Sequence, residues 1–204
     1  MHLVMSHPEW VIGFEDETWW SRLAQPNLFA WKENAEALRL HEKSLEKEDS
    51  DPIALACYGL LVRSYPQPDS CHEEIWLRFV KNNPISGIST QFLQWCCEKL
   101  EQQGKTALFL IWDNASWHKS YEVKHWIENH NQTVKREKKG IRILVSPLPV
   151  KSPWLNPIEP KWVHGKRRLV EPDRVLSPQE LMTRVYQAFN CPVEKELSIP
   201  EKHQ

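Results

Sequence analysis

The chain has 204 residues, of which 41% are hydrophobic and 26% charged, with only six glycines. That is the composition of a globular protein with enough chain to bury a core, and it excludes collagen-like and Gly-rich linker sequences. No run approaches ~18 apolar residues, so no helical membrane span is expected. The start, Met1 to Pro8, lacks the basic and apolar regions of a secretory signal.

The first strand signal is Trp10–Phe14, a short apolar run that leads into Glu15, Asp16 and Glu17. Residues 32–52 are polar and read as a loop or insertion, with Ala35 to Lys47 as a candidate short helix. Ala54–Val62 and Ile75–Val80 are further strands, separated by turn chemistry at Pro66 to Ser70. From Ser89 to Gln103 apolar residues recur at three- and four-residue spacing, which predicts an amphipathic helix, and Gly104 follows where a C-cap glycine belongs. Thr106–Trp112 is almost wholly apolar, as in a strand covered on both faces, and Asp113 follows directly. A helix over Lys119–Asn129, a strand over Ile141–Val145 and a proline-punctuated loop over Pro147–Pro157 come next. Helices over about 157–168 and 178–190 and a frayed tail from Cys191 complete the order.

Three strands on short connections predict an antiparallel meander, and two later strands that follow helices predict parallel additions. The expected fold class is α/β, a mixed five-stranded sheet flanked by helices.

The cysteines, Cys57, Cys71, Cys96, Cys97 and Cys191, form no C-x-x-C pair, which suits a reduced, cytoplasmic protein. Net charge is −1, but it is unevenly spread. Residues 113–168 hold 12 basic and 5 acidic side chains, net +7, whereas residues 1–112 hold 10 basic and 16 acidic, net −6. A local basic excess of this kind attracts phosphate, although a solvated lysine-rich surface reads the same way.

Three acids stand where chemistry can use them. Asp16 ends the first strand, Asp113 ends the fourth, and Glu159 opens the helix after the proline-rich loop. In a mixed sheet the first and fourth strands are expected neighbours, so their acids meet at the carboxyl edge, where α/β sheets place ligands. Clustered carboxylates repel unless a cation joins them, and an oxygen-only donor set favours Mg²⁺ or Mn²⁺ over zinc. Each acid also has a purely local explanation. Asp113-Asn114 can be a turn. Asn156-Pro157-Ile158-Glu159 can be a helix cap with an N3 acid. Glu15 or Glu17 can replace Asp16, because strand ends are uncertain by a residue or two.

These residues carry a family resemblance. Leu110-Ile-Trp-Asp-Asn-Ala-Ser-Trp-His-Lys119 resembles the second-aspartate motif of mariner-related bacterial insertion-sequence transposases, of the DDE endonuclease superfamily. Ser152-Pro-Trp-Leu-Asn-Pro-Ile-Glu-Pro-Lys-Trp162 is similar to their final-glutamate motif. Val11-Ile-Gly-Phe-Glu-Asp-Glu17 resembles their first. The resemblance spans about residues 8–190 and implies a ribonuclease-H-like catalytic domain over 1–190 with a tail over 191–204. It implies that Asp16, Asp113 and Glu159 are the catalytic acids and the ligands of two divalent ions, Mg²⁺ or Mn²⁺.

The implied reactions are phosphodiester cleavage at an element end and attack of the freed 3′-hydroxyl on target DNA. Asn114, His118 and Asn156 become supporting residues, with His118 a candidate to orient phosphate or water. Lys119, Lys151, Trp154, Lys161, Lys166, Arg167 and Arg168 become DNA contacts. Relatives carry helix-turn-helix domains before the first aspartate, whereas 15 residues precede Asp16 here. The expectation is therefore a catalytic domain without that N-terminal module, from a split reading frame or a truncated copy. The implied partners are DNA, a second copy of the chain and a separate polypeptide that recognises the element ends, in a bacterial cytoplasm at the nucleoid. Two other readings share the fold: a transposase remnant kept as a DNA-binding or interaction domain, and another ribonuclease-H-like nuclease.

Overall fold

A computed structural model of the protein describes residues 4, 6–23, 30–31, 37–38, 49–67, 70–81, 85–169 and 174–198. Five strands, β1 (Trp10–Ser21), β2 (Ala54–Gln67), β3 (Ser70–Val80), β4 (Ala107–Trp112) and β5 (Arg142–Pro147), form one sheet in the order β3-β2-β1-β4-β5. β1 pairs antiparallel with β2, which pairs antiparallel with β3, while β4 runs parallel to β1 and β5 parallel to β4. The expected meander with two parallel additions is present. The helices are α1 (Ser86–Gln102), α2 (Tyr121–Glu137), α3 (Glu159–Arg168) and α4 (Pro178–Ala188), with a 3₁₀ turn at Pro153–Leu155 before α3.

Side chains alternate across β1, so the sheet separates two cores. Val11, Leu60, Leu108, Leu110 and Trp112 pack with Phe92, Leu93 and Cys96 of α1 and with Val123 and Ile127 of α2. On the other face Ile12, Phe14, Leu61 and Leu77 pack with Ile158, with Trp162 of α3 and with Leu181, Val185 and Tyr186 of α4. Among the described residues no helix is long and apolar enough to cross a membrane.

Both outer strands have backbone partners beyond the sheet. Asn131 of α2 donates its Nδ2 to the Ile143 carbonyl at 2.8 Å and accepts the Ile143 N–H at 2.9 Å, and His130 contacts the Ile141 carbonyl through Nε2 at 2.7 Å. At the opposite edge Leu197 bridges to Val80 in parallel, donates its N–H to the Phe79 carbonyl at 2.8 Å and accepts the Lys81 N–H at 3.0 Å. Such contacts blunt sheet edges that would otherwise recruit other strands. They also correct two boundaries. α2 runs to Glu137 rather than Asn129, and the segment read as a frayed tail is docked through a buried Leu197. Residues 30–31 and 37–38 form a two-residue antiparallel ladder, so 37–38 are not helical, and the rest of the helix expected at 35–47 lies outside the described residues.

Candidate active site at the carboxyl edge of the sheet

β1 outlasts its parallel neighbour. The β1–β4 pairing ends at Phe14 opposite Ile111, while β1 continues to Ser21 against β2. Asp16 and Asp113 each lie two residues past that last pair, so they flank the notch that opens where β4 stops. Asp16 is thus inside β1 rather than at its end, and the end that matters is that of the parallel pairing.

Alternation settles which of the three consecutive acids shares a face with Glu159. Asp16 follows Ile12 and Phe14 onto the α3 side, where its Oδ2 accepts a 2.8 Å hydrogen bond from the Trp162 indole. The outer edge of that indole lies against Gly59, the residue paired with Asp16 on β2; a β-carbon there would come within 2.3 Å of the ring. Gly59 and Trp162 together place the donor that holds Asp16. The sequence marked Trp162 only as one turn from Glu159, and nothing in its pattern pointed to Gly59.

Asn156 is buried where the incoming loop meets β1. Its Nδ2 donates to the Glu15 carbonyl at 3.1 Å, which moors the start of α3 beside Asp16. The anticipated cap is present only in part: Asn156 Oδ1 accepts the Ile158 N–H at 3.4 Å, but α3 begins at Glu159 with Ile158 in the cap position, and the Glu159 carboxylate accepts no hydrogen bond from the described residues. Asn114 donates to the Leu148 carbonyl at 2.6 Å and so ties the Asp113 turn to the loop after β5.

Glu159 links the other two acids electrostatically: its charge acts on Asp16, and that of Asp113 acts on it. Burial, with the nearby Glu159 charge, pushes Asp16 up to about 8 against the lowering effect of the Trp162 bond. Glu159 is raised by partial burial and by Asp113, with Lys166 opposing. Asp113 is held low, chiefly by its hydrogen bond with His118 and also by the Ala115 N–H. Both of those donors act on Oδ1, at 3.0 and 2.8 Å. Among the described residues, Asp16 Oδ1, Asp113 Oδ2 and both Glu159 oxygens carry no hydrogen bond, which leaves an oxygen-only donor set facing one edge.

Glu15 and Glu17 point to the opposite face. There, with His118, they form a group whose ligand-type atoms all lie within 4.8 Å of one another. His118 Nε2 is 3.1 Å from both Glu15 Oε2 and Glu17 Oε1, and its Nδ1 faces Asp113. Burial opposes a charge on His118, but the surrounding carboxylates outweigh it and push the imidazole up to about 12, so the group carries its own cation. Trp117 also donates to Glu17 Oε1, at 2.6 Å, and Trp112 stacks on the imidazole. His118, a candidate to orient phosphate or water, is only 2% exposed and lies enclosed among these carboxylates.

Of the basic residues expected at DNA, Lys119, Lys151, Lys166, Arg167 and Arg168 are exposed, and Lys166 is lowered by partial burial while feeling both Glu159 and Asp16. Lys161 instead reaches Glu73 of β3 at 2.7 Å. Trp154 is 74% exposed on the loop before Glu159, beside exposed Val150 and Leu155.

The mixed sheet thus carries Asp16, Asp113 and Glu159 at its carboxyl edge, where sheets of this kind place ligands. The family model for DDE superfamily endonucleases matches residues 70–181, more than half of the chain, and the chain belongs to that family. No curated protein matches it. In fold it is similar to the Mos1 transposase paired-end complex with left transposon end (TM-score 0.58, 13% identity, covering 94% of this chain and 53% of that one). It is also similar to a pre-cleavage Mos1 transpososome (TM-score 0.56, 11% identity, 94% and 53%). A third likeness is to the Mos1 mariner paired-end complex with Mn (TM-score 0.54, 13% identity, 93% and 52%). The chain thus spans about half the length of these transposase chains and has the ribonuclease-H-like fold of their catalytic part.

Proposed function

We propose that the chain is the catalytic domain of a mariner-related bacterial insertion-sequence transposase, which cuts DNA at element ends and joins the freed ends to target DNA. The observation that carries this reading is the placement of Asp16, Asp113 and Glu159 at one sheet edge, with four carboxylate oxygens unspent on hydrogen bonds among the described residues. The donor set fits hard divalent ions: it is all oxygen, and Asp16 and Glu159 are raised by burial and by neighbouring acids, a strain that a cation relieves. The Mos1 paired-end complexes solved with Mn and with Mg support the same choice of ion. Asp16, Asp113 and Glu159 would hold two such ions, which would supply activation of an oxygen nucleophile and stabilisation of the leaving oxygen.

The remaining work falls to the chain itself. Asp16 and Asp113 extend from adjacent strands and Glu159 from a helix moored by Asn156, so the acids are set before substrate arrives, which lowers the entropic cost of alignment. Lys119, Lys151, Lys166, Arg167 and Arg168 hold the DNA backbone through phosphate contacts, which position the duplex without reading its sequence. Trp154 offers a face on which a splayed base can stack. End recognition falls to a helix-turn-helix module on another segment or polypeptide, and two copies pair two ends, at the nucleoid of a bacterial cytoplasm.

The test is strand joining. The 204-residue chain, given a pre-cut DNA end with a free 3′-hydroxyl, plasmid target and Mn²⁺, is expected to yield covalently joined product. Nicking without joining would instead identify a ribonuclease-H-like nuclease of another kind. Neither product, with Mn²⁺ bound normally, would identify a targeting-incompetent remnant.

A further inference from the structure

The trio on the back of the sheet has no part in the chemistry described above, yet it touches that chemistry at one atom. His118 Nδ1 meets Asp113 Oδ1 at 3.0 Å, and the Ala115 N–H meets the same oxygen at 2.8 Å. The Oδ1 atom is therefore engaged twice, and Oδ2 is the oxygen left without a hydrogen bond among the described residues. What holds the imidazole is Glu17, whose Oε1 is 3.1 Å from Nε2 and is itself fixed by Trp117 at 2.6 Å. Trp112 stacks on the ring at 4.4 Å with a 2° interplanar angle, which fixes the plane of the imidazole. Glu15 Oε2 is buried and accepts no well-directed hydrogen bond, but it stands 3.1 Å from Nε2 as a second negative charge.

We propose that Glu17 and His118 are positioning residues: Glu17 fixes the imidazole through Nε2, and the imidazole fixes Asp113 through Nδ1, so that Oδ2 is presented to a divalent ion. This inference rests on the reading of Asp113 as a metal ligand. The arrangement has the logic of a carboxylate–histidine pair behind a metal ligand, with an acid in the ligand position. Partners of that kind commonly change metal affinity by about 10–100-fold.

The measurement is Mn²⁺ binding by calorimetry on the 204-residue chain, with unfolding midpoints recorded for every variant. His118→Ala and Glu17→Ala are each expected to weaken Mn²⁺ binding about 10-fold or more. The double variant is expected to bind no more weakly than His118→Ala, because Glu17 acts only through the imidazole. His118→Asn, whose amide can reach where Nδ1 stood, is expected to restore much of the loss. It and Glu17→Gln serve as the isosteric pair if the alanine variants fail to fold.

Mn²⁺ binding unchanged in folded His118 variants, while Asp113→Asn abolishes it, would overturn the positioning role and leave Asp113 a ligand. Additive losses for Glu17 and His118 would also overturn it. Loss of one whole binding step in His118→Ala, with Asp113→Asn binding as wild type, would mark the trio itself as a metal site. Wild-type binding in both His118→Ala and Asp113→Asn would remove the metal reading of Asp113 and this inference with it.

Discussion

Asp113→Asn and Glu159→Gln are each expected to lower Mn²⁺-dependent nicking of supercoiled DNA by at least about 10²–10³-fold, the cost of removing one charged contact from a preorganised transition-state site. The asparagine at 113 keeps an oxygen that can accept from His118 and from the Ala115 N–H, so the turn survives and only the charge facing the metal side is lost. Glu159 accepts no hydrogen bond from the described residues, so glutamine there disturbs no existing contact. Both variants should therefore fold and unfold as wild type does while losing activity. Nicking rates measured beside thermal unfolding check this. Activity retained in either folded variant would remove that residue from the chemistry.

The second large effect is on stability and runs the opposite way. Asp16 ionises in the fold at about 8, against 3.8 as its ordinary value, because burial and the neighbouring acids disfavour its charge. A carboxyl raised in the folded state supports folding fully below pH 3.8, and that support is lost as pH rises through about 8. Asp16→Asn removes the penalty and keeps an acceptor for Trp162. In metal-free buffer near pH 8 it is expected to stabilise the chain by on the order of 1–3 kcal/mol, with the gain shrinking toward about pH 5. Saturating Mn²⁺ should reverse the ranking, because only the wild type gains the full binding free energy. Urea unfolding at the two pH values, with and without Mn²⁺, reads all of this. A variant less stable than wild type at pH 8 without metal would contradict it.

Much of the fold is legible in the residues. After Thr106 the run Ala107–Trp112 has no charged or hydroxyl side chain to place at a surface, so a doubly covered strand is the natural outcome, and β4 is one. Gly104 ends α1 with φ at +71°, a conformation that favours glycine. α2 is less legible. Its second half turns polar residues toward the sheet, because Asn131 and His130 satisfy the backbone of β5, and apolar periodicity cannot register a contact of that kind. The docking of Leu197 is equally silent, one of a few apolar residues in a mostly polar tail that matters only because β3 has an open edge there.

The site was legible in residue type and order, but not in which face each acid takes. Three consecutive acids at 15–17 are equivalent in a sequence. They become distinct once β1 is paired, because alternation sends Asp16 to the helix that carries Glu159 and sends its neighbours to His118. His118, a candidate to orient phosphate or water, is enclosed by carboxylates. The pairing of Lys161 with Glu73, a residue far away in sequence, is likewise invisible before the chain folds.

The central claim is that Asp16, Asp113 and Glu159 together hold divalent metal. The most direct test is calorimetric titration of the wild-type chain and the three amide variants, Asp16→Asn, Asp113→Asn and Glu159→Gln, with Mn²⁺ at pH 8. The account predicts saturable binding to the wild type, lost or sharply weakened in each variant while all four proteins remain folded. Binding that is absent from the wild type, or equal in all four, would contradict it.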